Sequence, residues 1–570
     1  MEKFMNENLQ IIFGLLGGLA VFLFGMNLMS ECLQKAAGEK MRSILSLLTK
    51  NPVMGVLAGA LTTAVLQSSS ATTVMAIGFV SAGLMTLRQA ISIILGANIG
   101  TTMTAQIIAF QISDYIYIII FIGFIVSFIC KSERSKNIGQ TIFAFGLLFL
   151  GIETMGDVMK PLASSQIFIN MIERVADMPV LGVFVGTLMT LVVQSSSATI
   201  AVLQNFASQA GPDGVTSILG LVGAIPILLG DNVGTTITAL LASIGQSKDA
   251  KRTAAAHCLF NVSGCLLFIW LIRPYSEFIR FISPKGPEVE VISRQIANAH
   301  TVFNIAMTLI WIPLIAVMVK IVMKIIPDQK SVRLNPARPI HIDDKMISQP
   351  VAALQLIAGE VLHCSEIAEE MLQKVMIALR DGDKKQLEKI SEKGEFVRNI
   401  SEKMSGYLAE LFSAGVMTEA QAAQTVHLTY ILNDLDRMAG LCEEVARHVW
   451  DKEKNKYQYS GKAMEEVCES LEIIKEMYDD AIDVLKSGDG EKAKKIIKRK
   501  EQILELDSVM RKAHLKRVNE GTCKASLTKP FTKILNSIDR MGSCCMNLAD
   551  VALDNMTFSY FTGVSASRRQ

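Results

Sequence analysis

The sequence predicts an all-α chain in two parts. The first is a polytopic membrane protein with inverted repeats, re-entrant hairpins and broken helices, and the second is a cytoplasmic bundle of two three-helix units. Three observations predict this. Charge is uneven along the 570 residues: residues 1–344 hold 42 Lys, Arg, Asp and Glu side chains, and residues 345–570 hold 68. The first part carries apolar runs of bilayer-spanning length, about 18 residues or more, at Ile11–Met29, Tyr115–Cys130, 138–151, His257–Ile272 and Thr301–Ile326. Finally, each part repeats its own strings.

The first run begins near residue 10 with neither a basic leader nor a small-residue cleavage site, so it reads as a retained helix rather than a signal peptide. Next comes "NPVMGVLAGALTTAVLQSSSAT" from Asn51, which aligns without a gap with "MPVLGVFVGTLMTLVVQSSSAT" from Met178. Upstream, "LFGMNLM" ending at Met29 parallels "FLGIETM" ending at Met155; downstream, "LGANIGTTMTA" from Leu95 parallels "LGDNVGTTITA" from Leu229. These matches define repeat 1 at about 8–131 and repeat 2 at about 138–273, with a final helix at 300–326 inside a membrane part of 1–330. Each copy reads as a long helix, an apolar segment interrupted at Gln-Ser-Ser-Ser, and a second apolar segment broken at Gly-x-Asn-x-Gly-Thr-Thr.

Short loops rich in Lys and Arg face the cytoplasm. Lys35, Lys40, Arg42 and Lys50, then Lys131, Arg134 and Lys136, then Lys248, Lys251 and Arg252 place three loops inside. Residues 156–178 lean acidic (Asp157, Glu173 and Asp177 against Lys160 and Arg174), as do the first residues, so that loop and the N-terminus go outside. The assignment closes only if Pro52–Val80 dips in and returns while Gln89–Asp114 crosses. An odd number of crossings per copy then inverts the second copy, the arrangement that places a transport site at the midplane.

Irregular backbone at membrane depth is tolerated only inside protein or around a water-filled cavity. At a hairpin tip the second arm begins with free N–H groups and a positive dipole end. Ser68, Ser69 and Ser70, with Ser195, Ser196 and Ser197, therefore set hydroxyls where an anion is favoured, and Gln67 and Gln194 add amides. Uncharged donors suit an oxyanion that must leave again. Oxygens of Asn98, Thr101, Asn232 and Thr235, with bare carbonyls at the glycine-rich breaks, suit a small hard cation such as sodium. Asp231 stands where the first copy has Ala97, and an intramembrane acid is by default functional; cation ligand, proton site and salt-bridge partner are all open to it.

"AHCLFN" at Ala256–Asn261 and "AHTVFN" at Ala299–Asn304 each set His and Asn four apart on one helix face, the pattern of helix–helix hydrogen bonding. The ten cysteines show neither a C-x-x-C pair nor metal-ligand spacing and read as reduced, packed thiols. A net charge of +2 gives no case for nucleic acid. No serine sits in a Gly-x-Ser-x-Gly turn and no Walker-type string is present, so neither an esterase nor an ATP-driven enzyme is expected.

The paired QSSS strings, the Gly-x-Asn-x-Gly-Thr-Thr strings and the His-x-x-Phe-Asn segments resemble the type II sodium-dependent phosphate cotransporters over roughly residues 8–326. The resemblance implies phosphate symport in the plasma membrane with sodium as coupling ion and no other cofactor. It places the substrate and sodium region at Gln67–Ser70 and Gln194–Ser197, with Asn98, Thr101, Asn232, Thr235 and Asp231 as sodium candidates. The same architecture also suits a carrier of another oxyanion, a phosphate exporter, or a membrane-anchored phosphate sensor.

After a linker at 331–345, residues 346–560 show helical periodicity cut by "RDGDKK", "SAGVMTEA", "KNKYQYSGKA", "SGDGEK" and "NEGTCKASLTKP", giving six helices before a tail at 561–570. In the third, Ile431, Leu435, Met438, Cys442 and Val445 follow an a/d seam. "ILNDLDRMAG" from Ile431 recurs as "ILNSIDRMGS" from Ile534, making two related three-helix units. This half resembles the PhoU family, which implies a cytoplasmic regulatory partner. PhoU proteins can hold metals through acids four apart; Asp436 and Asp539 begin the matching strings, but Gly440 and Ser543 follow, so Asp436-Arg437 and Asp539-Arg540 are expected to be solvated or to form pairs within the bundle instead. Lys320 and Lys324 at the end of the final membrane helix put this half in the cytoplasm.

Overall fold

The computed structural model describes residues 2–46, 51–81, 85–110, 112–163, 178–211, 213–327, 346–347, 350–381, 384–414, 417–454 and 460–553. The linker at 331–345, the tail at 561–570 and most of the acidic loop before Met178 lie outside them. Two compact units divide the chain, residues 1–329 and 330–570. Among the described residues the regular elements are helices, apart from a single bridge between Ala210 and Ser217.

In the first unit, repeat 1 comprises α1 (Glu2–Ser46), α2 (Pro52–Leu66), α3 (Ser69–Ser81), α4 (Leu87–Ile108) and α5 (Ile116–Ile129). Repeat 2 comprises α6 (Glu133–Ala163), α7 (Pro179–Val193), α8 (Ser196–Ala207), α9 (Gly220–Ala242), α10 (Lys248–Phe268) and α11 (Ile272–Ile282). Then α12 (Glu288–Trp311) and α13 (Ile315–Ile325) follow. Helices α1, α4, α6 and α9 are long and apolar enough to cross a bilayer singly, while α10 with α11 and α12 with α13 are pairs bent by 93° and 84°. The unit is a multi-pass membrane protein. The run expected to span at Tyr115–Cys130 forms only the 14-residue α5, shorter than a straight crossing. The final run is likewise a bent pair rather than one rod.

Glycines decide how the repeats pack. Gly55 and Gly59 of α2 lie against Ser92 and Ile93 of α4, whose Gly96 and Gly100 lie against Val56 and Ala60; in the second repeat Gly182 and Gly186 of α7 lie against Pro226 and Ile227 of α9, whose Gly230 and Gly234 lie against Val183 and Thr187, one small-x-x-x-small seam in each repeat. A Cβ on Gly96 would sit 1.9 Å from the Val56 carbonyl oxygen, and one on Gly230 would sit 2.1 Å from that of Val183. Backbone lies against backbone. This explains a correction: α4 and α9 run unbroken through Gly-x-Asn-x-Gly-Thr-Thr. The glycines serve close approach instead of a break, while Asn98 and Asn232 donate to the carbonyls of Ile94 and Leu228 one turn back (2.8 and 2.9 Å). Thr101 and Thr235 do the same to Ala97 and Asp231 (3.0 and 2.9 Å). The helix breaks lie at the Gln-Ser tips and at the two bends.

The second arm of each hairpin crosses over. Helix α3 packs on α9 of the other repeat, and α8 packs on α4. Helix α10 covers α3, α4 and α9, and α12 covers α4, α8 and α9. Their buried core joins Leu95, Leu228, Phe260, Ile296 and Phe303.

Among the described residues the second unit holds six α-helices: α14 (Pro350–Asp381), α15 (Lys384–Ser413), α16 (Glu419–Lys454), α17 (Gly461–Ser487), α18 (Gly490–Asn519) and α19 (Thr528–Leu553). Ile431, Leu435, Met438, Cys442 and Val445 are all buried, as their a/d spacing requires. Helix α14 is also apolar enough to cross a membrane by length and composition. Its apolar face is consumed by the bundle, where Leu356, Ile357, Cys364 and Met371 are fully buried and the Tyr478 hydroxyl donates to the Ser365 carbonyl at 2.8 Å. The cysteines are free, and burial pushes the thiols of Cys442 and Cys544 up to about 12. Asp539 pairs within the bundle, with Lys500 (2.5 Å). Asp436 lines a cavity of about 270 Å³ with Arg398, Arg437 and Arg540. Among the described residues no cluster of three His, Cys, Asp or Glu side chains could hold a metal.

The seam makes a stability prediction. Gly96→Ala should destabilise by about 1–3 kcal/mol, because carbonyl and Cβ cannot share the space, whereas Gly17→Ala, with nothing within 4 Å, should be neutral. Thermal unfolding in detergent checks this; equal midpoints for the two variants would refute the seam.

Candidate functional site

The two hairpin tips are the same structure written twice. Gln67 (φ 51°) and Gln194 (φ 54°) are the only non-glycine residues with positive φ among the described residues. A branched backbone environment normally reserves this left-handed region for glycine, and a glutamine held there costs on the order of 1 kcal/mol. The side chain must therefore be wanted at the tip. Past each glutamine a serine caps the next helix: Ser68 Oγ accepts from the Ala71 N–H at 3.1 Å, and Ser195 Oγ from that of Ala198 at 3.3 Å. These two serines start α3 and α8. The hydroxyls of Ser69, Ser196 and Ser197 carry no hydrogen bond among the described residues and stand at the positive ends of those helices. Ser69 and Ser197 are buried, while Ser195, Ser196 and Ser70 are half-buried.

Around this shared frame the tips differ. Gln67 is 8 % exposed; its amide donates to the Ala64 carbonyl and its Oε1 accepts from Thr104 Oγ1 of α4 at 2.9 Å. Gln194 is exposed, and its side chain carries no such bonds. Thr238, which occupies in α9 the place Thr104 holds in α4, lies instead 3.2 Å from Ser70 Oγ of the first tip. That contact brings the two repeats to one point. Gln204 of α8 ties the second hairpin into the same region by donating to the carbonyls of Ala105 (3.1 Å) and Ser293 (2.9 Å).

Beneath each tip a threonine pair links the arms: Thr63 to Thr72 at 2.8 Å, and Thr190 to Thr199 at 3.1 Å. In repeat 2 Thr190 also donates to Asp231 Oδ1 at 2.7 Å. Asp231 is fully buried, no cation pairs with it among the described residues, and its Oδ2 has no hydrogen-bond partner. A buried carboxylate oxygen left open is relieved by a proton or by a cation. Asn98 Oδ1 faces His257 Nε2 (3.4 Å) and Asn232 Oδ1 faces Asn304 Nδ2 (3.5 Å), so the His and Asn segments of α10 and α12 do bond helix to helix. The carbonyls expected to be bare around Asn98, Thr101, Asn232 and Thr235 are not exposed by any break, leaving side-chain oxygens as the ligands on offer there.

The geometry thus joins Gln67, Ser70 and the second-repeat helix α9, and sets Asp231 below the second tip. Sequence reasoning passed over Thr104, Thr238, Thr190 and Gln204. The first three lie inside the duplicated strings and could have been found by asking which repeated hydroxyls share a helix face with the glutamines; nothing repeated marks Gln204.

Comparison with known proteins agrees with this division. A Na+/Pi-cotransporter family model matches residues 21–157 and again 155–282, one match per repeat, and a PhoU domain model matches 361–449 and 467–552. The chain belongs to the Na+/Pi-cotransporter family and carries a PhoU domain. It is similar to the uncharacterized protein YqeW of Bacillus subtilis (31 % identity over 306 residues, 54 % of this chain and 95 % of that one). It is also similar along nearly its whole length to the putative inorganic phosphate export protein YjbB of Salmonella typhimurium (22 % over 543 residues, 95 % of this chain and 97 % of that one). The human sodium-dependent phosphate transport protein 2B matches at 39 % over 103 residues, 18 % of this chain and 15 % of that one. No solved structure matches.

The left-handed glutamines give a separable test. Gln194→Gly relieves the backbone cost and removes no hydrogen bond, so the melting point should hold within about 1 kcal/mol of stability while phosphate-dependent uptake falls. Retained uptake in a stable Gln194→Gly protein would show the side chain to be dispensable.

Proposed function

We propose that this chain is a sodium-coupled symporter of inorganic phosphate in the plasma membrane, with its helical C-terminal unit in the cytoplasm as a regulatory domain. The observation that carries the reading is the meeting of the first tip with the second repeat at Ser70 and Thr238. Each tip brings a helix N-terminus, hydroxyls without partners and a strained glutamine. Phosphate, tetrahedral and singly to doubly charged near neutral pH, takes many hydrogen bonds at once, and helix N-termini with free hydroxyls offer them without a buried Lys or Arg. Ser69, Ser196 and Ser197, with Gln67 and Gln194, donate to its oxygens. Sodium takes side-chain oxygens drawn from Asn98, Thr101, Asn232 and Thr235 and the open carboxylate Oδ2 of Asp231; its charge offsets the anion and couples the two. Lysines and arginines of the short loops support an N-terminus outside and a C-terminal unit inside.

Net export is the second reading, and a specific finding favours it: the relative matched over 95 % of this chain is named a putative inorganic phosphate export protein. Export and import share the site and differ in the gradient that drives them. The deciding experiment reconstitutes the full chain in liposomes and follows radiolabelled phosphate under inward sodium, inward potassium, and with sulfate in place of phosphate. The proposal expects sodium-dependent, phosphate-selective uptake. Flux in the potassium gradient equal to that in sodium removes sodium coupling, and sulfate flux equal to phosphate flux removes the substrate.

Asp231→Ala, which restores the residue of the first repeat, should raise the sodium concentration for half-maximal uptake about tenfold to a hundredfold, the worth of one charge-assisted contact of about 1.5–3 kcal/mol. An unchanged sodium dependence would take Asp231 out of the ion site.

A further inference from the structure

The two tips are written alike but held unequally. Tip 1 is clasped from three sides: Thr104 holds Gln67, Gln67 caps the Ala64 carbonyl, and Ser30 of α1 donates to the Leu66 carbonyl. At tip 2 every one of these clasps is open. Gln194 is exposed, Thr238 is turned to Ser70 and to its own Thr235 carbonyl (2.9 Å), and the position of Ser30 is taken in α6 by Gly156, which has no hydroxyl to give. The backbone of both tips is nevertheless the same, with φ 51° and ψ 24° at Gln67 and φ 54° and ψ 24° at Gln194. Gln194 is therefore already in the conformation that tip 1 uses to reach its threonine, and the threonine it would reach is present at the matching place in α9.

We infer that the site has a fixed half and a closing half: tip 1 is a preset wall, and tip 2 closes over the bound anion when Thr238 exchanges Ser70 for Gln194. Thr238 is thus a positioning residue, and Thr104 is its permanently engaged counterpart. The exchange has a chemical logic. A threonine hydroxyl has one proton to donate, so Thr238 cannot serve Gln194 while it donates elsewhere. An anion arriving at the tips takes the Ser70 hydroxyl as a donor and draws it off Thr238, and the Thr238 hydroxyl, left without that acceptor, turns to the Gln194 amide oxygen. Closure then buries Gln194 as Gln67 is buried here. This inference rests on the phosphate reading for the identity of the anion, but the inequality of the tips does not.

Hydrogen exchange of the full chain in lipid nanodiscs tests both parts. Without ligand, segment 64–71 should exchange more slowly than 191–198. Thr104→Val should speed the first about fivefold, the worth of one hydrogen bond of about 1 kcal/mol, and leave the second alone, while Thr104→Ser keeps the wild-type rates. Equal exchange of the two segments in the wild type, or no effect of Thr104→Val, would overturn the fixed half. With saturating inorganic phosphate and sodium, 191–198 should slow in the wild type and in Thr238→Ser but not in Thr238→Val. Slowing in Thr238→Val equal to wild type overturns the role of Thr238, and no slowing in a wild-type chain that transports phosphate overturns closure. A chain that binds and transports no phosphate contradicts the substrate assignment instead, and the ligand-free comparison still decides whether the tips are unequal.

Discussion

The structure of the membrane unit depends on one kind of contact: helix backbones pressed together across glycine. In lipid there is no hydrophobic drive between helices, so association rests on close van der Waals packing and on hydrogen bonds. Val56 over Gly96 and Val183 over Gly230 supply that closeness twice. They fix the first arm of each hairpin against a crossing helix, and this fixed arm lets the chain turn back at membrane depth with its second arm reaching the other repeat. Without the seam the tips would have nothing to stand on, and an unpaired tip in hydrocarbon would cost several kcal/mol for each open backbone group.

Duplication makes two matching tips, and departures from duplication make them unequal. Strictly identical halves would hold an anion equally from both sides. Ala97 against Asp231, and Ser30 against Gly156, break that equality: one half gains a buried carboxylate, the other a tighter clasp. The carboxylate lies on the half whose tip is open.

How much of this was legible in the sequence follows from what a string can record. The repeats, the hairpins, the six tail helices and the seam at Ile431, Leu435 and Met438 were legible because periodicity and duplication are properties of the chain alone. The Gly-x-Asn-x-Gly-Thr-Thr strings misled: glycine permits both a break and a close approach, and only the neighbouring helix decides between them. Asn98 and Thr101 bond back along their own turn, a choice with no signature in composition. The tip residues Gln67–Ser70 and Gln194–Ser197 were found by their repetition, but the division of labour among them was not. That Ser68 and Ser195 cap helices while Ser69 and Ser197 do not is a matter of one residue in register. The pairing of Asp539 with Lys500 was hidden for a similar reason, since the partner comes from another helix thirty-nine residues away.

The central claim is that both tips build one anion site rather than two. Binding of radiolabelled phosphate to the purified full chain in saturating sodium measures it directly, with Ser69→Ala and Ser196→Ala each compared with the parent. One site made of two halves predicts one phosphate per chain, with either substitution weakening it by about fivefold to tenfold, the worth of a hydrogen bond of 1–1.4 kcal/mol. Two phosphates per chain, or a substitution at one tip that leaves affinity untouched, would contradict the account.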